Sequence, residues 1–311
     1  MKKKLLIIVI TLIFILGVGI LSYPLISSAI NNFSVRNDAS AYMEEAKKLD
    51  TSELEDMLAE AEKYNNSLTS NIILTDPFDE EAYEKIGANY EQTLNTDAKG
   101  LIGYVDIPKI NVYLPIYHGT TEETLSKGAG HLENTSLPIG GKSTHSVISA
   151  HSAFPTETFF DYLTDMQEGD VFYIHVLTQT LKYQVDKISV VLPENTSDLH
   201  ITRGEDYVTL LTCTPYSVNT HRLLVRGTRV PYSPDESDGS AVSVLSMGGD
   251  GIFFMGYKIP YLIAGLIIGG FILLVVLVVL LIVKRNKRRA RKSAEEKPKP
   301  ESIIGDNRGG D

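Results

Sequence analysis

The chain has 311 residues, a formal net charge of −10 at pH 7 and one cysteine, Cys213. Between residues 30 and 258 the imbalance is larger, with 16 lysine and arginine residues against 34 aspartate and glutamate residues. An acidic surface repels nucleic-acid phosphates, which argues against nucleic-acid binding. A single cysteine excludes an intramolecular disulfide, so Cys213 is an inert thiol, an intermolecular link or a reactive nucleophile.

Apolar runs near both ends, residues 5–22 and 259–283, predict two transmembrane helices. Lysines precede the first run and a basic cluster follows the second, so the positive-inside rule predicts that both termini are cytoplasmic. The sequence therefore predicts a cell-membrane protein whose central part is extracellular. The basic tail, residues 284–311, is expected to lie against anionic lipid headgroups.

Each run has an alternative interpretation. The first resembles a cleaved signal peptide, although residues 27–29 match a cleavage site only loosely. The second resembles the tail of a wall-sorting signal, but residues 246–258 contain no cleavable sorting pentapeptide.

Residues 38–64 predict one or two amphipathic helices, because apolar residues recur there at helical spacing. Thr51, followed by two glutamates, is the expected N-cap, with a break near Asp50. A simple spacer between the membrane and the folded domain is as good an interpretation of this segment as a specific role. Further on, Thr75-Asp76-Pro77-Phe78-Asp79 is expected to be a loop, and Asp-Pro alone is typical of a turn.

From Leu101 onward, short β-branched and aromatic runs separated by glycine, proline, asparagine and aspartate predict strands. With few helices between them, such strands predict a closed or nearly closed antiparallel barrel in a single domain. Short helices are expected near 121–126 and 157–166. The predicted strands are 101–107, 111–117, 145–151, 170–177, 180–192, 206–213 and 222–230.

Catalysis by Cys213 needs a thiolate, and therefore a nearby cation, helix N-terminus or imidazole. His151 follows an apolar strand and opens a loop, where a rigid element presents a side chain. Six other histidines compete for this role: His118, His131, His145, His175, His200 and His221.

Arginine is suited to stabilising an oxyanion, because its charge is permanent and it donates several hydrogen bonds. If residues 214–221 form a hairpin loop, Arg222 falls beside Cys213. Arg226 then lies roughly 13 Å further along the strand. An exposed surface charge is the alternative interpretation for each arginine.

Together these residues resemble the sortase family. Thr209-Leu210-Leu211-Thr212-Cys213, followed by Arg222, is similar to the sortase signature TLxTC with a downstream arginine. Residues 128–132 and 149–151 also resemble strands of the family, and the resemblance covers about residues 30–235. It implies a mainly β fold, a closed barrel of seven to eight strands, and a cysteine transpeptidase with His151, Cys213 and Arg222 as its triad.

Two membrane spans and an upstream Asp-Pro-aromatic segment resemble class C, the pilus-assembling sortases. That resemblance implies that Asp76, Pro77 and Phe78 belong to a lid, with Asp76 on Arg222 and Phe78 against the Cys213 sulfur. It implies pilin subunits with LPXTG-like sorting signals as substrates, joined to a pilin lysine through a thioacyl intermediate. Thr212 is expected to help shape the substrate pocket.

No cofactor or metal site is expected, because the chain has no phosphate-binding glycine loop and no spacing typical of metal ligands. Two other functions stay open, a housekeeping sortase or peptidase acting on cell-wall peptide and a non-enzymatic adhesin with an inert thiol.

The predicted organisation has six parts. These are a transmembrane segment (1–29), a helical segment with lid (30–98), the barrel (99–235), a linker (236–258), a second transmembrane helix (259–283) and the tail (284–311).

Overall fold

A computed structural model describes most of the predicted barrel and parts of the segments around it. It divides into two units, Met1–Lys258 and Ile259–Asp311. In the second unit, the described positions beyond residue 260 are helical. The residues described are 42, 44–68, 74, 76–78, 90–96, 100–154, 158–233, 245–247, 251–254, 257–260, 263, 265, 270, 284, 285 and 288.

Both predicted transmembrane segments fall largely outside that part of the chain. Residues 5–22 lie wholly outside it, and 259–283 is described at only a few positions. Among the helices that the structure describes, none has the length and apolar character needed to cross a membrane.

The first long helix, α1 (Thr51–Ser67), begins one residue earlier than the sequence suggested, because Asp50 and not Thr51 is its N-cap. The Asp50 carboxylate accepts a hydrogen bond from the Glu53 N–H at 2.8 Å. The Glu53 carboxylate accepts one from the Asp50 N–H at 3.2 Å. This reciprocal capping box satisfies two backbone donors at once, which Thr51 as the cap does not.

Eight strands form a closed barrel in the order β1-β2-β3-β4-β7-β8-β6-β5, and β5 pairs back with β1. A four-residue helix, α2 (Glu122–Leu125), lies between β2 and β3. Beyond the barrel, β9 (Leu245–Met247) pairs antiparallel with β10 (Gly251–Phe254), and β11 spans Tyr257–Pro260. The barrel strands are β1 (Leu101–Ile107), β2 (Val112–His118), β3 (Ala129–His131), β4 (Thr144–Ser149), β5 (Val171–Val176), β6 (Gln179–Val191), β7 (Asp206–Thr214) and β8 (His221–Val230).

The expectation of a purely antiparallel barrel was wrong, because β2–β3 and β4–β7 are parallel pairs. Parallel neighbours need a crossover connection, supplied here by α2 in one case and by the β5–β6 hairpin in the other. Strand β3 was also absent from the predicted strand set. It has three residues, and Gly130 at its centre cannot carry a side chain, since an added Cβ meets the Gly119 carbonyl oxygen at 2.3 Å.

The helix predicted at 157–166 is also wrong over the described part of that range. Residues 159–162 form bends and turns, and Leu163–Asp165 is a single 3₁₀ turn. Phe159, Phe160 and Leu163 are all buried in the main core. Burying three closely spaced apolar side chains in an irregular loop imitates a helical pattern.

Two apolar clusters lie on opposite faces of the sheet. Along β7, Leu210 belongs to the main core, whereas Leu211 belongs to a second cluster, termed here the outer cluster. Because side chains alternate along a strand, Cys213 lies on the same face as Leu211. The outer cluster consists of Leu132, Val147, Leu199, Leu211 and Leu224, with Leu74, Phe78 and Val191 packed against it.

Candidate active site

Cys213 and Arg222 are directly opposed partners in the antiparallel β7–β8 pair. Each is buried, with 8% of its surface exposed. Arg226, the arginine that the sequence placed further along the strand, is opposed to Thr209 instead. The hairpin register therefore brings one arginine, Arg222, next to the thiol.

The segment predicted as a lid or a turn contacts Arg222. The Asp76 carboxylate accepts hydrogen bonds from Arg222 Nε at 2.8 Å and Nη2 at 2.5 Å. Its Oδ1 also accepts a bond from the Phe78 N–H at 3.5 Å, so the segment turns as Asp-Pro sequences do. The same carboxylate therefore makes the turn and pairs with Arg222, and a lid role for this segment stays a prediction. Leu74 and residues 76–78 are termed the lid segment below.

Phe78 contacts two members of the predicted triad, His151 and Arg222. Its ring centroid is 5.5 Å from that of His151, and the Arg222 guanidinium carbon is 5.2 Å from the same centroid. The ring also packs on the outer cluster. The expected contact of Phe78 with the Cys213 sulfur stays a prediction.

His151 reaches the same edge of the barrel through the parallel β4–β7 pair. Ser149 is in register with Leu211, so His151, two residues beyond the end of β4, comes to the level of Cys213, two residues further along β7. Ser152 reinforces this junction, because its hydroxyl donates a 2.8 Å hydrogen bond to the Cys213 carbonyl. Phe154 stacks on the His151 ring with centroids 5.4 Å apart.

One contact of His151 was not anticipated from the sequence. Its Nε2 atom lies 3.3 Å from Glu122 Oε2, at the start of α2. No sequence signal indicates this pair, since the two residues are 29 positions apart with both β3 and β4 between them. Phe154 and Ser152 were also missed as site residues, although both lie in the loop that His151 opens.

The rival histidines occupy other surroundings. His131 and His145 are buried, and desolvation lowers the pKa of His131 to about 3 and that of His145 to about 4. His118 is held by the Gly100 and Thr93 carbonyls, and His175 lies 4.0 Å from Asp106. The structure therefore assigns each of these four rings a place in the packing of the barrel.

Thr212 has a different environment from the one expected. Its hydroxyl donates a 2.7 Å hydrogen bond to the Ala150 carbonyl, and its side chain lies on the opposite face of β7 from Cys213. Ala150 immediately precedes His151. Thr212 therefore ties the strand that carries the thiol to the strand that carries the histidine.

The electrostatics of the covered site keep the thiol protonated. Burial raises the pKa of Cys213 to about 11, Arg222 opposes the rise, and the Asp76 carboxylate adds to it. A thiol in this state is a poor nucleophile at neutral pH. Among the described residues, no group of three or more His, Cys, Asp or Glu side chains is arranged to hold a metal ion. The expectation that no cofactor is needed rests on the sequence.

Comparison with known proteins places this geometry in a family. Residues 105–230 match the model described as the sortase domain. Sortase A of Bacillus anthracis is 27% identical over 131 residues, covering 42% of this chain and 60% of the relative. Sortase D of Bacillus subtilis is 29% identical over 131 residues, covering 41% and 63%. The matched region thus spans about three fifths of the length of these curated relatives.

Solved structures extend the match beyond the barrel. Sortase C-1 of Streptococcus pneumoniae has 48% identity and a TM-score of 0.59, with 63% of this chain and 100% of that chain covered. Pilus-related sortase C of group B Streptococcus has 50% identity, a TM-score of 0.56 and coverage of 60% and 94%. Sortase C-1 of Actinomyces oris has 48% identity, a TM-score of 0.53 and coverage of 57% and 98%.

A closed eight-stranded barrel with a cysteine and an arginine opposed at its edge, and a histidine beside them, is the arrangement of a cysteine transpeptidase. The chain belongs to the sortase family, and its solved neighbours are class C sortases. The predicted family and enzyme class are thereby confirmed.

Proposed function

We propose that this chain is a pilin-polymerising class C sortase. It cleaves an LPXTG-like sorting signal between threonine and glycine and joins the new carboxyl end to a lysine amine of the next pilin subunit. The observation that carries the proposal is the lid segment, whose Asp76 carboxylate occupies the Arg222 guanidinium beside Cys213. The pilus-related name of the group B Streptococcus neighbour supports the same substrate class.

The first half-reaction forms a thioester. The Cys213 thiolate attacks the threonine carbonyl, and the carbonyl oxygen takes up the negative charge. Arg222 donates hydrogen bonds to that oxygen, a role that its fork of N–H groups suits. As the carbon–nitrogen bond breaks, His151 gives a proton to the departing glycine amine, leaving the thioacyl enzyme.

The second half-reaction transfers the acyl group. A lysine amine of the next pilin attacks the thioester carbonyl, and His151, now neutral, takes a proton from that amine. The carbon–sulfur bond breaks and returns the Cys213 thiolate. The product is an isopeptide bond between two subunits, and repetition extends the pilus.

The lid segment opposes both steps until it moves. Asp76 occupies the two Arg222 donors that the oxyanion needs, and Phe78 covers the His151 ring. The lid segment thereby keeps the site inactive, and an arriving substrate has to displace it.

The proposed setting is the outer face of the cell membrane, with a helix at each end of the catalytic part and both termini in the cytoplasm. The apolar runs at 5–22 and 259–283 and their basic flanks support this topology. Anchoring at both ends keeps the enzyme beside pilins that are themselves held in the membrane.

The nature of the acceptor tests the function. The full-length chain with Asp76→Ala and Phe78→Ala, purified in detergent, is incubated with a pilin carrying an LPXTG signal and with a cell-wall pentapeptide. Pilin oligomers joined through lysine support the proposal. Wall-peptide adducts or the free acid indicate a housekeeping sortase or a peptidase. Unchanged surface phenotypes in Cys213→Ala cells indicate a non-enzymatic protein.

A further inference from the structure

Glu122 lies beside His151 because of the way the barrel is connected. Strand β3 runs antiparallel to β4, with Gly130 opposite Ser149. Residues that precede β3 therefore lie beside residues that follow β4, and α2 precedes β3 in the chain. Thr121 caps α2 by accepting a 3.3 Å hydrogen bond from the Thr124 N–H, which fixes Glu122 as its first residue.

The contact joins a buried ring nitrogen to an exposed carboxylate. The His151 side chain is 19% exposed and that of Glu122 is 60% exposed, with 3.3 Å between Nε2 and Oε2. The Nε2 atom is buried and has no aligned hydrogen bond. Catalytic hydrogen bonds in unliganded enzymes are commonly loose and tighten when substrate binds.

We propose that Glu122 is a positioning residue for His151, an inference that rests on the function proposed above. With Nε2 directed at the carboxylate, Nδ1 is the ring nitrogen left to exchange a proton with the substrate amine. The negative charge also stabilises the protonated ring that must be present when the glycine amine departs. Glu122 acts through His151 and does not itself touch the reacting atoms.

Two other described carboxylates near this edge are already engaged. Asp76 is paired with Arg222 in the lid-closed structure, and burial beside Asp76 keeps the Cys213 thiol protonated. Asp161, in the loop that follows His151, accepts 3.0 Å hydrogen bonds from the backbone N–H groups of Ala153 and Phe159. Among the residues that the structure describes, Glu122 is therefore the carboxylate placed to act on the imidazole.

The rings of Phe78 and Phe154, which also contact His151, carry no charge. When the lid segment opens, Phe78 leaves the imidazole and the ring can turn until Nε2–H points at the Glu122 carboxylate. The 3.3 Å contact between His151 Nε2 and Glu122 Oε2 belongs to the closed state of the lid segment, and it becomes an aligned hydrogen bond when the lid segment opens.

The neighbouring glutamate provides a matched control. Glu123 follows Glu122 in α2, has a side chain 81% exposed and pairs with Lys127 at 2.7 Å. Its substitution by glutamine removes the same charge from the same helix without touching His151. A difference between the two variants therefore reports the contact and not the net charge.

The first arm of the test needs no substrate. Full-length protein with Asp76→Ala and Phe78→Ala, labelled with ¹³C and ¹⁵N at histidine and held in detergent micelles, is examined by NMR, with His151→Gln identifying the His151 signals. Glu122→Gln is expected to shift the ring ¹⁵N signals of His151, because the tautomer with its proton on Nε2 loses its charged acceptor, and Glu123→Gln to leave them in place. Unchanged His151 ring signals in Glu122→Gln overturn the proposal.

The second arm measures pilin transfer in the same lid-open background. Glu122→Gln is expected to lower kcat roughly tenfold with KM unchanged and to shift the pH profile, while Glu122→Asp recovers part of the loss. A kcat equal to that of Glu123→Gln overturns the positioning role. If the lid-open parent forms no product at all, the proposed function fails, and the NMR arm alone then decides whether Glu122 holds His151.

Discussion

The Asp76 carboxylate and the Arg222 guanidinium, 146 positions apart in the chain, form a two-point ion pair with distances of 2.8 and 2.5 Å. Arg222 is the cation that lowers the pKa of Cys213, and Asp76 raises it. The pair therefore sets a negative charge against the cation that favours ionisation of the thiol. Bidentate arginine–carboxylate pairs of this kind are strong and directional, which suits a lid that must close specifically.

Breaking this pair is expected to activate the thiol. Burial is the larger cause of the raised Cys213 pKa, and the Asp76 carboxylate adds to it. Asp76→Ala removes this second contribution and leaves the Arg222 charge unopposed by Asp76, so more thiolate is present at neutral pH. We expect Cys213 to be alkylated by a small reagent at least tenfold faster in Asp76→Ala, and faster still with Phe78→Ala added. The measurement is the alkylation rate at pH 7.5, followed by intact mass.

A second arginine–carboxylate pair on the same strand controls for general loosening. Arg226 binds Asp186 through Nε at 3.0 Å and Nη2 at 2.8 Å, away from the thiol. Asp186→Asn removes an equivalent pair from β8 and is expected to leave the alkylation rate unchanged. If Asp76→Ala is no faster than Asp186→Asn, the lid segment is only a turn.

Replacing Arg222 by lysine keeps the positive charge but removes the planar guanidinium group and its several N–H donors. A single ammonium cannot reproduce the two-point contact, so oxyanion stabilisation is lost even if the substrate still binds. We expect kcat for pilin transfer to fall roughly a hundredfold in the lid-open background, with a smaller change in KM. Arg226→Lys is the matched control, and equal rates for the two variants are incompatible with an oxyanion role for Arg222.

Much of this site could be predicted from the sequence because its parts depend on local rules. Strand periodicity located β7 and β8 closely, and a hairpin of the expected length then placed Arg222 opposite Cys213. The position of Glu122 beside His151 could not be predicted from local rules of this kind. It depends on β3, whose three residues are too few to show a periodicity, and on the parallel crossover that β3 requires.

Thr212 illustrates a different limit of sequence reasoning. Its position next to Cys213 suggested a place in the substrate pocket, but alternation along the strand turns it to the other face. Two adjacent signature residues therefore have different roles: Cys213 is the proposed nucleophile, and Thr212 stabilises the strands that carry the site. The support here is the hydrogen bond to Ala150.

Substitution of Thr212 by valine tests that assignment. The change keeps the shape of the side chain and leaves the Ala150 carbonyl without its donor, so the free energy of unfolding is expected to fall by about 1–2 kcal/mol. Urea denaturation of the full-length protein measures this loss. The transfer rate in the lid-open background is expected to stay within tenfold of the parent. A hundredfold loss of rate with unchanged stability indicates instead that Thr212 contacts the substrate.

The barrel is expected to lose stability in mild acid through His131. Its ring is fully buried, and this desolvation lowers its pKa from 6.5 to about 3 against the opposing effect of the hydrogen bond with the Ser136 carbonyl. The unfolded chain therefore binds more protons than the folded chain between these two values. The free energy of unfolding consequently decreases as the pH falls through that window, by about 2 kcal/mol between pH 7 and pH 4.5.

Urea denaturation at the two pH values measures this loss. His131→Gln is expected to flatten the pH dependence, and the remaining slope is attributed to His145, whose pKa is also lowered. His200→Gln replaces an exposed histidine and is expected to leave the slope unchanged. Equal slopes in His131→Gln and His200→Gln contradict the assignment.

The central claim is that Cys213 carries the acyl group during transfer, and intact mass spectrometry tests it most directly. The full-length protein with Asp76→Ala and Phe78→Ala is mixed with a pilin fragment ending in an LPXTG signal, without acceptor, and quenched in acid. We predict an added mass equal to the fragment cleaved after threonine, absent in Cys213→Ala and removed by hydroxylamine, which cleaves thioesters. If the thiol is freely alkylated but no adduct forms across a panel of sorting pentapeptides, the claim is contradicted.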